Sequence, residues 1–206
     1  MIRGIYVITD QEICPGRTHV EIAEAALAGG AKLIQLRDKT AKDRAFYEAA
    51  VAIAELCKQA NALFFVNDRV HIAAAVGADG VNVGQTDLPV PAVRRILGPK
   101  AIIGQSCDDL EQAMEAQRAG ADYVGFGPVY ATTTKLDTAA VSGLDALREV
   151  SNAVSIPVVA IGGIAASNIA DVAAAGAASA AVVSAVVCAD DMKEATTDLI
   201  RRFGSK

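Results

Sequence analysis

Eight short runs rich in Val, Ile and Leu recur along this chain, at residues 5–9, 33–36, 62–66, 80–83, 101–103, 123–126, 157–161 and 180–183, and no other feature restricts the fold as tightly. Several are continuously apolar rather than alternating, as parallel strands covered on both faces must be. Segments with helical spacing lie between them, among them 19–28, 42–59, 110–119, 143–150 and 166–175. Strand then helix, repeated eight times, predicts an α/β protein folded as one (β/α)8 TIM barrel, a single domain over residues 1–206. A doubly wound parallel sheet is the competing architecture. Gly30, Gly77, Gly120 and Gly176 each fall just before a strand, where a helix has to end in left-handed geometry. The direction is therefore helix to strand at one end of the barrel, and the opposite end carries the βα loops, where barrel enzymes keep their chemistry.

Composition narrows the partners. The chain of 206 residues carries 19 Lys and Arg against 24 Asp and Glu, a net charge of -5, and has no long basic run, which argues against nucleic-acid binding. Aromatic residues make up 4% and Trp is absent, so base-stacking and sugar-stacking surfaces are not expected. No stretch is long and apolar enough for a membrane span, and the N-terminus lacks a signal-peptide pattern, so the expectation is a cytoplasmic protein. Cys14, Cys57, Cys107 and Cys188 show no C-x-x-C spacing and predict neither a disulfide framework nor a zinc site.

The residues that follow the strands carry the chemistry. Gln35, Arg37 and Lys39 follow the second run, Asn67 and Asp68 the third, Gly84 to Asp87 the fourth, and Gln105, Ser106 and Cys107 the fifth. Thr132 to Lys135 follow the sixth, Gly162 and Gly163 the seventh, and Ser184 the eighth. In a barrel all of these meet on one rim. Arg37, Lys39 and Lys135 are cations, and Asn67, Ser106, Thr132 and Thr134 add polar donors, a set suited to a polyanion such as pyrophosphate. Asp68 and Asp87 offer two hard oxygen ligands for Mg2+, whose shell substrate phosphate and water can complete. Gly162-Gly163 and Val183-Ser184 suggest a second phosphate site built on backbone N–H groups. The Thr-rich segment around residues 131–140 suggests a lid.

Each feature also has a plainer explanation. Asn67-Asp68 could cap the following helix, Gly84 to Asp87 could be a turn before Pro89, and Thr132 to Lys135 an ordinary loop. His19 and His71 suggest surface or core-edge residues rather than catalysts, and Cys107 has no partner to activate it as a nucleophile.

Taken in order, Tyr6-Val7-Ile8-Thr9-Asp10, Gln35-Leu36-Arg37-Asp38-Lys39, Val66-Asn67-Asp68-Arg69, Gly80 to Asp87, Gly104-Gln105-Ser106, Ala121 to Tyr130, Thr132 to Lys135, Ala160 to Ile164 and Val183-Ser184-Ala185 resemble the thiamine phosphate synthase family. The resemblance runs over nearly the whole chain. It implies a transferase that joins 4-amino-2-methyl-5-hydroxymethylpyrimidine pyrophosphate to a thiazole phosphate, releasing pyrophosphate and giving thiamine phosphate in thiamine biosynthesis. It further implies that Gln35, Arg37, Lys39, Asn67, Ser106 and Lys135 hold the pyrimidine pyrophosphate, with Arg37, Lys39, Ser106 and Lys135 as the catalytic set. Asp68 and Asp87 would bind Mg2+, and Thr132, Thr134, Gly163, Val183 and Ser184 would hold the thiazole phosphate. The implied mechanism is a dissociative substitution in which pyrophosphate leaves first. Asn82 and Cys107-Asp108-Asp109 stand where the family usually carries His, and Ala131 where it usually carries Pro. The alternatives are a thiazole tautomerase-like isomerase on the same scaffold and a barrel that binds thiazole phosphate without turning it over.

Overall fold

In the computed structural model, which describes residues 2–132 and 140–204, eight parallel strands close into a barrel in sequence order. The elements run β1 (Gly4–Thr9), α1 (His19–Ala28), β2 (Leu33–Leu36), α2 (Asp43–Gln59), β3 (Leu63–Asn67), α3 (Val70–Val76), β4 (Gly80–Val83) and α4 (Val90–Leu97). They continue with β5 (Ile102–Cys107), α5 (Leu110–Arg118), β6 (Tyr123–Phe126), α6 (Gly143–Ala153), β7 (Val158–Ala160), α7 (Ile169–Ala174), β8 (Ser179–Val182), the short α8 (Ser184–Val187) and α9 (Met192–Gly204). Closure is made by β1 on β8, with Ile5 opposite Ala180 and Val7 opposite Val182, and this pairing removes the doubly wound alternative. The chain is a single (β/α)8 TIM barrel.

Alternation along the strands divides the core in two. One set of side chains points outward to the helices: Val7, Ile34, Leu36, Phe64, Val66, Val81, Val83 and their neighbours form the large layer between sheet and helices. The other set points into the barrel, where Tyr6, Leu33, Phe65, Tyr123, Val159 and Ala181 fill the centre. Three rings dominate that centre, with centroids 5.2 Å apart for Tyr6 and Phe65, 6.2 Å for Tyr6 and Tyr123, and 5.9 Å for Phe65 and Tyr123. Such tilted and edge-on arrangements suit aromatic quadrupoles.

Glycine makes the room for these rings. Gly80 lies opposite Phe65 and Gly104 opposite Tyr123 in the strand register. A Cβ on Gly104 would fall 2.0 Å from Tyr123 Cζ, and one on Gly80 2.7 Å from Phe65 Cε1. Gly104→Ala should therefore overpack the barrel by about 3 kcal/mol and lower the thermal midpoint by roughly 10 °C. A calorimetric scan checks this, and a midpoint equal to wild type would mean that the Tyr123 ring has room to move.

The expected strand boundaries hold closely except at β5. That strand runs on to Cys107, so Gln105 and Ser106 lie within it rather than after it. Its upper half lines a polar mouth instead of an apolar core, and the apolar run in the sequence stops before the strand does. Asn67 likewise closes β3 from within.

One cysteine expectation is overturned. Cys14, in the loop after β1, and Cys188, immediately after α8, form a disulfide with Cα atoms 5.5 Å apart. The two are 174 residues apart in sequence and meet because β1 and β8 are neighbours in the closed barrel, so spacing along the chain could not reveal the pair. Cys57 and Cys107 are free and buried.

Candidate active site

Period two along the strands decides which residues enter the mouth of the barrel. Leu33 points inward, so Gln35 two residues later does too; Phe65 brings Asn67 inward by the same rule, and Gly104 brings Ser106. Gly80 does this for Asn82, which is nearly buried. These four polar side chains, from the adjacent strands β2 to β5, form an arc above the aromatic plug. Gln35 Nε2 donates to the Tyr6 hydroxyl at 2.9 Å, and Tyr6 and Tyr123 share a hydrogen bond at 3.2 Å beneath it. Burial, with the charge of the facing Tyr123 adding to it, pushes the Tyr6 hydroxyl well above its ordinary pKa, so it stays neutral and keeps its proton. Asn82 Nδ2 donates to Ser106 Oγ at 3.0 Å, while the Asn82 carbonyl accepts from the Asp68 backbone N–H at 2.9 Å. The Asn82 side chain thus orients the Ser106 hydroxyl.

The two described cations of the predicted clamp lie on the loop between β2 and α2. Arg37 Nη1 donates to Asp10 Oδ2 at 2.6 Å, and the other oxygen of Asp10 accepts the backbone N–H groups of Glu12 and Ile13. Asp10 is buried, so this pair is held out of bulk water and orients the guanidinium. Lys39 Nζ pairs with Asp68 Oδ2. Asp68 does not cap α3: the N-cap residue is Arg69, without a side-chain cap bond, and Asp68 sits at φ 58° with its carboxylate turned to the rim. A positive φ is uncommon outside glycine, though Asn and Asp adopt it more readily than other residues.

Asp87 reaches the same place from the loop after β4, where its Oδ2 accepts the Gly84 N–H at 2.7 Å. It therefore does make the turn that the sequence allowed, and it also faces Asp68. Burial raises the Asp68 carboxyl above its ordinary pKa; the hydrogen bond and charge of Lys39 pull it down, and the charge and hydrogen bond of Asp87 push it up again. Two carboxyls within hydrogen-bonding reach, one of them crowded upward in pKa, leave a deficit of positive charge between them. Among the described residues no group of three or more His, Cys, Asp or Glu gathers as metal ligands. A pair is what Mg2+ uses when phosphate oxygens and water complete its shell, so the donors present fit that ion.

On the other side of the mouth, Gly162 and Gly163 carry φ of 99° and 63°, and a Cβ on Gly163 would lie 2.5 Å from the Ala131 carbonyl. The close approach is fixed by the Val129 N–H on the Ile161 carbonyl at 2.9 Å and the Tyr130 N–H on the Gly162 carbonyl at 3.1 Å. Asn168 closes the loop by donating to the Gly163 carbonyl at 2.9 Å and accepting from the Ala165 N–H at 2.8 Å. Val183 and Ser184 open α8 directly after β8, on the neighbouring strand. Thr132 lies at the edge of the described chain, partly buried, while Thr134, Lys135 and most of the expected lid lie outside the described residues.

Cys107 is buried, and burial together with the charges of Asp108 and Asp109 pushes its thiol up to about 12, which fits its reading as no nucleophile. Gln85, which the sequence shows only as one of the residues following the fourth strand, without a role, donates through its Nε2 to the Ser106 carbonyl at 2.6 Å and ties the loop after β4 to β5. Asp10 and Tyr6 were visible only as members of a motif. The available signal was position, since Asp10 follows a strand in the same way as Arg37 and Asp68. A cavity of about 780 Å3 lies at the opposite end of β3, between α2 and α3, away from all these groups.

The chain is similar to known proteins over nearly its whole length. The family described as Thiamine monophosphate synthase matches residues 5–186. A protein of Chloroflexus aurantiacus named Thiamine-phosphate synthase is 51% identical over 195 residues, covering 95% of this chain and 90% of the relative. One of the same name from Methanoculleus marisnigri is 50% identical over 201 residues, covering 98% and 95%. The solved structure of thiamine phosphate pyrophosphorylase from Pyrococcus furiosus superposes with a TM-score of 0.89 at 44% identity, covering 97% of this chain and 95% of that one.

Proposed function

The chain belongs to the thiamine monophosphate synthase family, and from that premise we propose how its rim carries the reaction. It is an enzyme of thiamine biosynthesis, a transferase. The substrates are an aminopyrimidine bearing a methylene pyrophosphate and a thiazole phosphate; the products are thiamine phosphate and pyrophosphate.

The bond from the pyrimidine methylene to the pyrophosphate oxygen breaks first, and its electron pair leaves on oxygen. The aminopyrimidine ring stabilises the cation that remains, and the thiazole nitrogen supplies the electron pair for the new C–N bond. Such a reaction needs positive charge on the leaving group rather than a strong base. Arg37, oriented by Asp10, and Lys39 supply it, and Lys135 completes the set. Gln35 gives its amide N–H to Tyr6 and keeps its carbonyl oxygen for the exocyclic amine of the pyrimidine. Asn67 and the Asn82-oriented hydroxyl of Ser106 donate to the pyrophosphate. Asp68 and Asp87 would hold Mg2+, and that ion would supply further positive charge for the pyrophosphate. Gly163, Val183 and Ser184 present backbone N–H groups to the thiazole phosphate, and the Thr132 and Thr134 hydroxyls are assigned to the same phosphate. No helix among the described residues is long and apolar enough to cross a membrane. We place the reaction in the cytoplasm, where phosphorylated substrates that cannot cross lipid are retained.

The single observation that supports this reading most is the arrival of Gln35, Arg37, Lys39, Asp68, Asp87 and Ser106, from four different strands, on one rim. Incubation with both substrates should give thiamine phosphate, abolished by EDTA and restored by excess Mg2+. Turnover indifferent to chelation contradicts the metal assignment. Tight thiazole phosphate binding with no product would favour the non-catalytic alternative.

A further inference from the structure

His19 was expected at the surface or core edge, and it is neither idle nor exposed. It is the first residue of α1, only 5% exposed, and Thr18 before it forms a capping box with Glu21 that fixes where the helix starts. Its ring joins two other strand-end residues. Nδ1 lies 2.8 Å from Thr9 Oγ1, at the end of β1, and Nε2 lies 3.1 Å from Asp38 Oδ2, in the loop between β2 and α2.

Proton bookkeeping decides the direction of these bonds. Burial works to raise the Asp38 carboxyl, but the Ala41 N–H, His19, and the N–H and hydroxyl of Thr40 outweigh it and hold it at about 2, so it is a carboxylate that can only accept. His19 Nε2 therefore carries a proton. In the neutral ring Nδ1 is then the acceptor, and the fully buried Thr9 hydroxyl donates to it.

Asp38 stands between Arg37 and Lys39, the two cations of the clamp. Its second oxygen accepts the backbone N–H groups of Thr40 at 2.9 Å and Ala41 at 2.7 Å, so the carboxylate shapes the loop that carries both. Arg69 holds the same loop from the α3 side through the carbonyls of Asp38 and Ala41.

We propose that the string Thr9–His19–Asp38 is a positioning unit for the pyrophosphate clamp: His19 anchors Asp38 to the end of β1, and Asp38 in turn sets where Arg37 and Lys39 stand. The side chains of the string make their hydrogen bonds to one another and to the loop between β2 and α2, none to Gly163, Val183 or Ser184 of the thiazole phosphate site, although β1 and β8 are neighbours. The proposal rests on the assignment of Arg37 and Lys39 to pyrophosphate. Its specificity for one of two substrates separates it from a merely structural histidine, whose loss would weaken both sites or neither.

The test uses the full chain with His19→Leu, His19→Gln and Thr9→Val, each first shown to melt cooperatively. Binding of inorganic pyrophosphate should weaken about tenfold or more in His19→Leu, less in Thr9→Val, and recover to within about threefold of wild type in His19→Gln, whose amide can still donate to Asp38. In turnover, His19→Leu should raise KM for the pyrimidine pyrophosphate by a similar factor, leave KM for the thiazole phosphate unchanged, and change kcat far less. Equal weakening toward both substrates, or pyrophosphate binding equal to wild type in a folded His19→Leu, overturns the proposal. If His19→Leu does not fold, the split is read from Thr9→Val, and its absence there is equally fatal. Pyrophosphate binding that depends on His19 in a wild-type protein that makes no thiamine phosphate would sink the synthase reading while leaving this one standing.

Discussion

Arg37→Ala should lower kcat/KM for the pyrimidine pyrophosphate by about two to three orders of magnitude, the usual loss when one preorganised donor to a developing anion is removed. Thiazole phosphate binding should stay within about twofold of wild type, since its site is built from other strands. The substitution also strips Asp10 of its cation, and Asp10 is a buried carboxylate that keeps only the N–H groups of Glu12 and Ile13. An uncompensated buried charge costs about 3–5 kcal/mol, so the single variant should melt well below wild type. Adding Asp10→Asn removes the orphan charge and should restore most of the midpoint without restoring turnover. Lys in place of Arg37 should recover only part of the rate, because an ammonium lacks the planar fork that reads both Asp10 and phosphate oxygens. Turnover of Arg37→Ala within tenfold of wild type would contradict the role given to this residue, and an isomerase confined to the thiazole substrate would behave that way.

The second large effect concerns the Cys14–Cys188 disulfide. It closes a loop spanning 174 residues of separation, nearly the whole chain. Constraining an unfolded chain over that length is worth about 5 kcal/mol in the chain-entropy account, and about 2–5 kcal/mol is commonly lost when a native bridge is removed. For a protein of this size that corresponds to roughly 10 °C in the thermal midpoint. Cys14→Ser should therefore melt about 10 °C below oxidised wild type, and reduced wild type should melt with the variant. Oxidised and reduced wild type melting within about 2 °C of each other would show that the barrel closure already supplies the constraint. Arg17, which donates to the Val187 carbonyl beside Cys188, links the same two segments and is the structural reason such an outcome can be imagined.

How much of this was legible beforehand depended on whether the signal was local. The eight strands were readable because a parallel strand covered on both faces must be apolar throughout, and Gly30, Gly77, Gly120 and Gly176 do adopt positive φ where helices end. The candidate rim residues were readable because strand ends fall at predictable places in a βα repeat, and the roles proposed for them are those the family resemblance implies. The apolar run is shorter than β5 itself, because Gln105 and Ser106 break it although their backbone stays in the ladder with β6. The Asn67-Asp68 pair could not be resolved between cap and rim from its sequence alone. The decision came from φ at Asp68 and from Lys39, which lies 29 residues earlier.

The sequence by itself determined the architecture, the order of the elements, the direction of the catalytic end and the chemical character of the loops there, since each follows from residue type and short-range period. Only the tertiary structure decided which of those residues meet. Asp10 orients Arg37, Asn82 orients Ser106, His19 reaches Asp38, and Cys14 finds Cys188. The physical reason is that barrel closure brings strands far apart in the chain to within hydrogen-bonding distance. Contacts of a few ångströms between such residues are set by strand register and ring packing, which leave no periodic trace in the sequence.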